Sequence, residues 1–328
     1  MRVSVVGVGK VALTQYLPYL SGLPGIELGL WNRDARRAES AAEQFGGQIL
    51  HTLEDVLAFR PELAFVLSSE RARLDLATVL VEGGVPELFL EKPLSARDGQ
   101  ANVSEDDFDE AKAFVQLCEA RGVVGAMNFN YRSFAATQQV LEWQRTRPLG
   151  AITGVTARTH FACWSHTLDL VSLFAGAPTR VAALASSVIR TGRGMTAPDL
   201  AISFESDAGV TGTVMGSVAD PWDHSLLDLS MVFEAGRIRL WDLDGGAELA
   251  LANTPYVESL ALGHHVSRWD RYSASFAAAL DAYFAARETT VHPPVPLRAG
   301  LAELRFEAAI RRAVRLGTVI DVQEEFPL

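Results

Sequence analysis

Over the first ~125 residues the apolar residues come in short, β-branched runs separated by stretches with helical spacing. Residues 3–6 form the first run, and Leu13, Tyr16, Leu17 and Leu20 then recur at intervals that line one helix face. Residues 26–31 form the second, followed by a helix predicted over 35–45 and stopped by Gly46-Gly47. A third run, 64–67, leads to a helix over 74–82 that ends at Gly83-Gly84. Residues 88–90 and 123–129 are the last runs, with a helix between them over 108–121 stopped by Gly122. Strands alternating with helices at this spacing predict a parallel sheet with crossover helices. The acidic stretch 96–109 reads as a surface loop, with Ser104 placed to cap the helix after it.

Beyond that point the rhythm changes. Residues 153–161, 181–189, 200–205, 210–218, 226–233 and 237–240 are strand-like, and several are joined by short turns such as Ser206-Asp207-Ala208-Gly209 and Glu234-Ala235-Gly236. Short connections favour antiparallel pairing. Helical stretches over 266–287 and 298–316 close the chain, and Phe276, Leu280, Tyr283 and Phe284 at helical spacing are ordinary core positions. The fold class expected is α/β: an N-terminal Rossmann-type domain over 1–125, then an α+β domain over 126–328 with a large, mostly antiparallel sheet. The alternation in Val210-Thr211-Gly212-Thr213-Val214 suits a sheet with one face buried.

Composition supports two soluble domains. The chain has 328 residues, 48% of them apolar and 21% charged, enough apolar material to fill a sizeable core. Its net charge of −11 argues against nucleic acid or an anionic membrane surface as the main partner. No stretch is long and apolar enough to span a bilayer. The two cysteines, Cys118 and Cys163, make no disulfide framework and suit a reducing compartment. The start of the chain reads as a strand rather than a leader, so a cytoplasmic location is expected.

Candidate chemistry begins at Gly7-Val8-Gly9-Lys10-Val11-Ala12, a G-x-G-x-x-A sequence between the first strand and the first helix. Gly7 permits the tight turn, Gly9 lets backbone approach a pyrophosphate, and Ala12 allows close helix–strand packing. The helix N-terminus offers amides and partial positive charge to phosphates. At the end of the second strand, Trp31-Asn32-Arg33-Asp34 lacks the acidic residue that would bind a ribose 2′-hydroxyl and repel a 2′-phosphate. Asn32 can hydrogen-bond either form, and Arg33 can pair with a phosphate or stack on adenine. NADP(H) is therefore expected over NAD(H); Arg33 as a solvated residue and Asp34 as a helix cap are the plainer alternatives.

Glu91-Lys92-Pro93 ends the fourth run, where ligands of open α/β sheets bind, and Asn128-Phe129-Asn130-Tyr131-Arg132 lies at the domain junction. Together with the glycine turn, His166-Thr167-Leu168-Asp169 and the closing Arg315-Leu316-Gly317-Thr318-Val319, these motifs resemble the glucose–fructose oxidoreductase/inositol dehydrogenase (Gfo/Idh/MocA) family over essentially the whole chain. The resemblance implies hydride exchange between a nicotinamide cofactor and a hydroxyl- or carbonyl-bearing carbon, often on a sugar or cyclitol. It places Lys92 near nicotinamide and substrate. The cofactor set is then Gly7, Val8, Gly9, Lys10, Val11, Ala12, Asn32, Arg33, Ser68, Glu91, Lys92 and Pro93. Lys92 and His166 are the catalytic candidates, because an ammonium can polarise a carbonyl and an imidazole can exchange a proton near neutral pH. Lys92, Asn128, Tyr131, Arg132, Trp164, His166 and Asp169 are the substrate candidates. On a helix Asp169 shares a face with His166 and can orient its ring, or simply pair elsewhere. Arg132 braces a domain or contacts substrate, and His166 has the plain alternative of a satisfied core histidine.

One departure stands out. Members often carry Asp-x-Gly-x-His, whereas this chain reads Ala162-Cys163-Trp164-Ser165-His166. Trp164 can narrow a pocket or face a flat ligand, and His160 and Cys163 are nearby substitutes. The incomplete set keeps open a non-catalytic NAD(P)-binding sensor or scaffold, and the same motifs suit a lyase or epimerase. A sugar-like small molecule and a homo-dimer or homo-tetramer formed through the C-terminal sheet are the partners expected. No metal is expected: Asp242-Leu243-Asp244-Gly245-Gly246 lacks the later ligands of a calcium loop, and His264-His265 are adjacent. Asp199, Asp220 and Trp222 could edge a substrate pocket, but surface turns explain them adequately.

Overall fold

The computed structural model describes residues 1–222, 225–242, 245–263, 265–289 and 292–328. The calcium-loop-like run at residues 243 and 244, and the histidine pair at residue 264, lie outside the described residues. The described chain divides into two compact units, one of residues 1–97, 107–129 and 276–301, the other of 98–106, 130–275 and 302–328.

The first unit is built on six parallel strands: β1 (Arg2–Val6), β2 (Glu27–Trp31), β3 (Gln48–Leu50), β4 (Leu63–Val66), β5 (Glu87–Glu91) and β6 (Val124–Asn128). Their order is β3-β2-β1-β4-β5-β6, all in parallel register. Crossover helices put apolar cover on both faces, so β4 is buried along its whole length and reads as a continuous apolar run rather than an alternating one. The order reverses between β1 and β4, which opens a crevice beyond their carboxyl ends, at Gly7 and Ser68. Phe276, Leu280 and Tyr283 are buried, as their spacing implied, while Phe284 is half-buried.

The stretch 96–109 does not behave as a surface loop. Ala96, Ala101, Val103 and Asp107 are buried, and a helix already begins at Glu105. Asp107 is accommodated because its Oδ1 accepts from Ser95 Oγ at 2.9 Å and from the Arg97 amide at 2.8 Å.

The second unit carries β7 (Ile152–His160), β8 (Pro178–Gly192), β9 (Met195–Ser206), β10 (Thr211–Ser217), β11 (Leu227–Phe233), β12 (Gly236–Trp241), β13 (Gly246–Leu251), β14 (Val257–Ala261) and β15 (Ile320–Asp321). Their order is β14-β13-β12-β11-β7-β10-β9-β8-β15. Among the described residues only β7 and β10 pair in parallel; the rest is antiparallel, as expected. Period-two alternation divides the faces: Val214 is buried while Thr213 and Met215 on either side are exposed. The helix Trp164–Ala175 packs on the buried face beside β7. Among the described residues no helix is long and apolar enough to cross a membrane.

Candidate functional site

In the first unit β1 ends at Val6, and the Gly7 amide donates to Trp31 O at 2.9 Å before the chain turns. Gly7 has φ of +102°, and a Cβ there would lie 2.5 Å from the Ser68 nitrogen. Only glycine lets β1 and β4 close this tightly. Gly9 is the opposite case, with nothing within 4 Å of where its Cβ would stand. Open space over Gly9 leaves room for a phosphate to approach the backbone. The first intrahelical bond runs from Leu13 N to Gly9 O at 3.0 Å, so the amides of the turn before it have no partner within the helix. Ala12 is buried against the sheet, while Lys10 is exposed.

Asn32 Oδ1 accepts from the Val8 amide at 2.9 Å, and its Nδ2 donates to Asp34 O at 3.0 Å. The residue therefore braces the glycine turn from the end of β2. Arg33 beside it is exposed. Asp34 stands at the start of the helix Ala35–Phe45 but makes no capping bond; its carboxylate takes Arg36 instead. Ser68, at the crevice against Gly7, has a buried hydroxyl without a hydrogen-bond partner among the described residues. An orphaned hydroxyl, an open glycine and a free helix N-terminus together fit a dinucleotide's phosphates.

Glu91 closes β5 and is buried, and Lys92 after it is half-buried, with a cis peptide bond to Pro93. The Glu91 carboxylate accepts from Tyr16 Oη, from Asn128 Nδ2 at 2.9 Å, and from the Lys92 backbone amide at 3.1 Å. Asn128 Nδ2 also lies 2.7 Å from Tyr16 Oη. Expected to touch the cofactor, Glu91 is thus occupied in holding the polypeptide around Lys92. Arg73, buried at the start of the helix Arg73–Glu82, donates to Ser68 O at 2.9 Å and to Pro93 O. Burial pulls the Arg73 guanidinium below its ordinary range, partly offset by the negative charge of Glu91. Sequence reasoning singled out neither Tyr16 nor Arg73 for chemistry; the one signal was an arginine opening an otherwise apolar helix.

In the second unit the short 3-10 turn Phe161–Cys163 leads into the helix Trp164–Ala175. That helix puts His166 and Asp169 on one side, both buried. The His166 ring stacks on Tyr131 with centroids 3.8 Å apart and planes at 6°. Tyr131 Oη meets Cys163 Sγ at 3.0 Å, and burial raises the phenol well above its ordinary value. Asp169 accepts from Arg132 through both oxygens, at 2.8 and 2.5 Å. Of the two roles open to Asp169, pairing is the one formed, and it is buried rather than superficial. Burial raises the Asp169 carboxyl, and the Arg132 guanidinium opposes that shift. Asn130 Nδ2 donates to Ser275 Oγ at 2.8 Å and holds the start of this segment.

Trp164, a substrate candidate, is almost fully buried. Its indole is 1% exposed, donates from Nε1 to Glu307 Oε2 at 2.5 Å, and lies where a Cβ on Gly216 would be 2.4 Å away. A glycine on β10 makes room for the ring, which fills the unit's core. His160 is fully buried and accepts from the Ala162 amide through Nδ1 at 3.0 Å, while Nε2 lies 3.2 Å from Val218 O. Burial lowers its pKa, and its Nδ1 caps the start of the Phe161–Cys163 turn. Asp199 and Asp220 are paired with Arg190 and Arg158, and Trp222 lies under the Arg193 guanidinium at 4.4 Å.

Residues 1–129 match the family model described as "Oxidoreductase family, NAD-binding Rossmann fold", GFO_IDH_MocA. Solved structures resemble the chain over nearly its whole length at low identity. An oxidoreductase from Agrobacterium radiobacter, in complex with NAD+, L-tartaric acid and magnesium, superposes with a TM-score of 0.83 at 17% identity, covering 99% of each chain. The WlbA dehydrogenase from Bordetella pertussis, with NADH and UDP-GlcNAcA, gives 0.78 at 17%, covering 98% of this chain and 97% of that one. KijD10, a 3-ketoreductase from Actinomadura kijaniata with NADP and TDP-benzene, gives 0.73 at 17%, covering 96% and 98%. At these identities the likeness establishes the two-part fold.

Proposed function

We propose that this chain, whose residues 1–129 belong to the Gfo/Idh/MocA oxidoreductase family, is an NADP(H)-preferring dehydrogenase or reductase of a sugar-like compound. The observation that carries the reading is the glycine turn: open backbone at Gly9, a helix N-terminus behind it and the unpartnered Ser68 hydroxyl beside Gly7. The nicotinamide, when bound, supplies or accepts the hydride. Gly9, Lys10, Val11 and Ala12 hold the pyrophosphate by backbone amides, and Ser68 adds a hydroxyl. Asn32, by fixing Val8, shapes the loop, and exposed Arg33 supplies the positive charge that favours a 2′-phosphate. The similar structures hold NAD+, NADH or NADP, so the preference rests on Arg33 and the missing acid alone.

For chemistry, Lys92 donates a hydrogen bond to the reacting oxygen and offsets its developing charge. His166, held flat against Tyr131, exchanges the proton, while Arg132 is fixed by Asp169 and keeps that helix in register. Asn128 and Tyr131 complete the substrate set. The division of labour runs from a cofactor half over 1–125 to a substrate and oligomerisation half over 126–328. L-tartaric acid, UDP-GlcNAcA and TDP-benzene in the similar structures favour a polyhydroxy or nucleotide-linked substrate. A reducing, cytoplasmic setting suits two buried cysteines that form no disulfide.

Ala162 and Trp164 favour one rival, a non-catalytic dinucleotide-binding protein, since no carboxylate stands where relatives often carry one. Turnover of a carbonyl and polyol panel with NADPH and NADH separates the readings. Lys92→Ala is expected to abolish turnover while binding NADPH as wild type does; undiminished turnover would remove Lys92 from the chemistry. Binding without turnover on any compound favours the rival.

A further inference from the structure

The helix that continues from the glycine turn is irregular. Over Ala12–Tyr16 it widens to a π turn, with the Leu17 amide reaching back to Ala12 O before the α-helix Leu17–Leu20 resumes. A π turn inserts one residue and rotates the side chains beyond the insertion, and such turns concentrate at functional sites. Here the rotated residue is Tyr16. It has no exposed surface, and its ring is held by Phe65, Phe89 and Phe276 with centroids 5.7, 6.0 and 5.7 Å away. An apolar box of this kind would accept phenylalanine as readily. The hydroxyl is what the box does not need, and it donates to Glu91, whose other oxygen receives the Lys92 amide at 3.1 Å.

We infer that Tyr16 is a positioning residue for Lys92, acting through Glu91, so that the helix receiving the cofactor's phosphates sets the backbone of the lysine. The inference rests on the proposed reading for why Lys92 matters, and on geometry alone for the link itself. Glu91 has two oxygens and three donors around it: Tyr16 Oη, Asn128 Nδ2 and the Lys92 amide. With Tyr16 and Asn128 anchoring one oxygen, the carboxylate plane is fixed and the other oxygen stays on the amide. Without the Tyr16 donor, one anchoring bond to a charged acceptor is lost and the carboxylate can rotate away from Lys92.

The chain has only three lysines, Lys10, Lys92 and Lys112, so 15N-lysine labelling of the whole protein gives three backbone amide signals, assigned by Lys→Arg replacement. Tyr16→Phe is expected to move the Lys92 signal and speed its amide exchange on the order of tenfold. The Lys112 signal should stay in place, and NADPH should bind within about twofold of wild type, a ~0.4 kcal/mol change. Glu91→Gln, left with a single acceptor oxygen for Tyr16 and the Lys92 amide, should speed Lys92 exchange as well. If Lys92 exchange is unchanged in both variants, the link does not exist. If all three signals move together, Tyr16 is only a core residue and the inference also fails. Neither outcome depends on turnover, so the dehydrogenase reading stands or falls separately, on the Lys92→Ala result.

Discussion

Gly7 and Gly9 are two positions apart in one motif, yet they meet opposite surroundings. At Gly7 a left-handed φ and a backbone neighbour 2.5 Å from any Cβ make alanine strained in the folded chain itself. Gly7→Ala should cost about 1–3 kcal/mol of stability, read as a lower urea midpoint without any ligand. Gly9→Ala meets open space, so the fold should tolerate it while NADPH binding weakens roughly tenfold or more, ~1.4 kcal/mol. Equal loss of binding without loss of stability in both variants would contradict this division. The glycine turn was legible because its parts are contiguous in the chain. The link from Tyr16 to Glu91 was not, because the partners stand 75 positions apart and nothing in the sequence marks Tyr16 as Glu91's partner. The packing of Trp164 was hidden for a related reason: the space it fills is made by Gly216 on another strand.

Among the elements, the long β-branched runs were readable, and the short or alanine-rich ones were not. β3 has three residues and pairs only with β2, while β13 and β14 contain Ala, Glu and Ser where β-branched residues would signal a strand. Their pairing partners, not their propensities, make them strands. The helix Trp164–Ala175 was left conditional, since its apolar residues carry little periodic contrast when nearly every side is buried. Its entry depends on His160, whose Nδ1 must stay unprotonated to accept from Ala162. Burial lowers this pKa below the ordinary value of 6.5, so the unfolded chain takes up a proton before the native state does. The contribution is full above about 6.5 and is lost as pH falls from there through the lowered native value. Stability should therefore drop between pH 7.5 and 5.5 more in wild type than in His160→Asn, whose side-chain oxygen can make the same cap without titrating. Equal losses in chemical denaturation would sink the capping role.

At the scale of the molecule, a net charge of −11 is compatible with the proposed site for an anionic cofactor, because recognition there would be local: backbone amides, a helix N-terminus and Arg33. The nine-stranded sheet leaves Leu184, Met215 and Val232 exposed, and the positions on either side of Met215 and Val232 are buried. We expect this face to pair with another copy, giving a dimer or tetramer by light scattering at micromolar concentration, with Met215→Glu shifted toward monomer; a monodisperse wild-type monomer would contradict it. Alternation within strands foretold that one sheet face is buried, whereas what covers the other is not written in a single chain.

The central claim is that the glycine turn holds a nicotinamide dinucleotide with a preference set by Arg33. Calorimetric titration of the whole protein with NADPH and NADH, at the same salt, tests it most directly. The account predicts saturable binding of one dinucleotide per chain, tighter for NADPH than for NADH, with the gap closing in Arg33→Ala. Tighter binding of NADH would reverse the preference, and no saturable binding of either dinucleotide would contradict the account at its root.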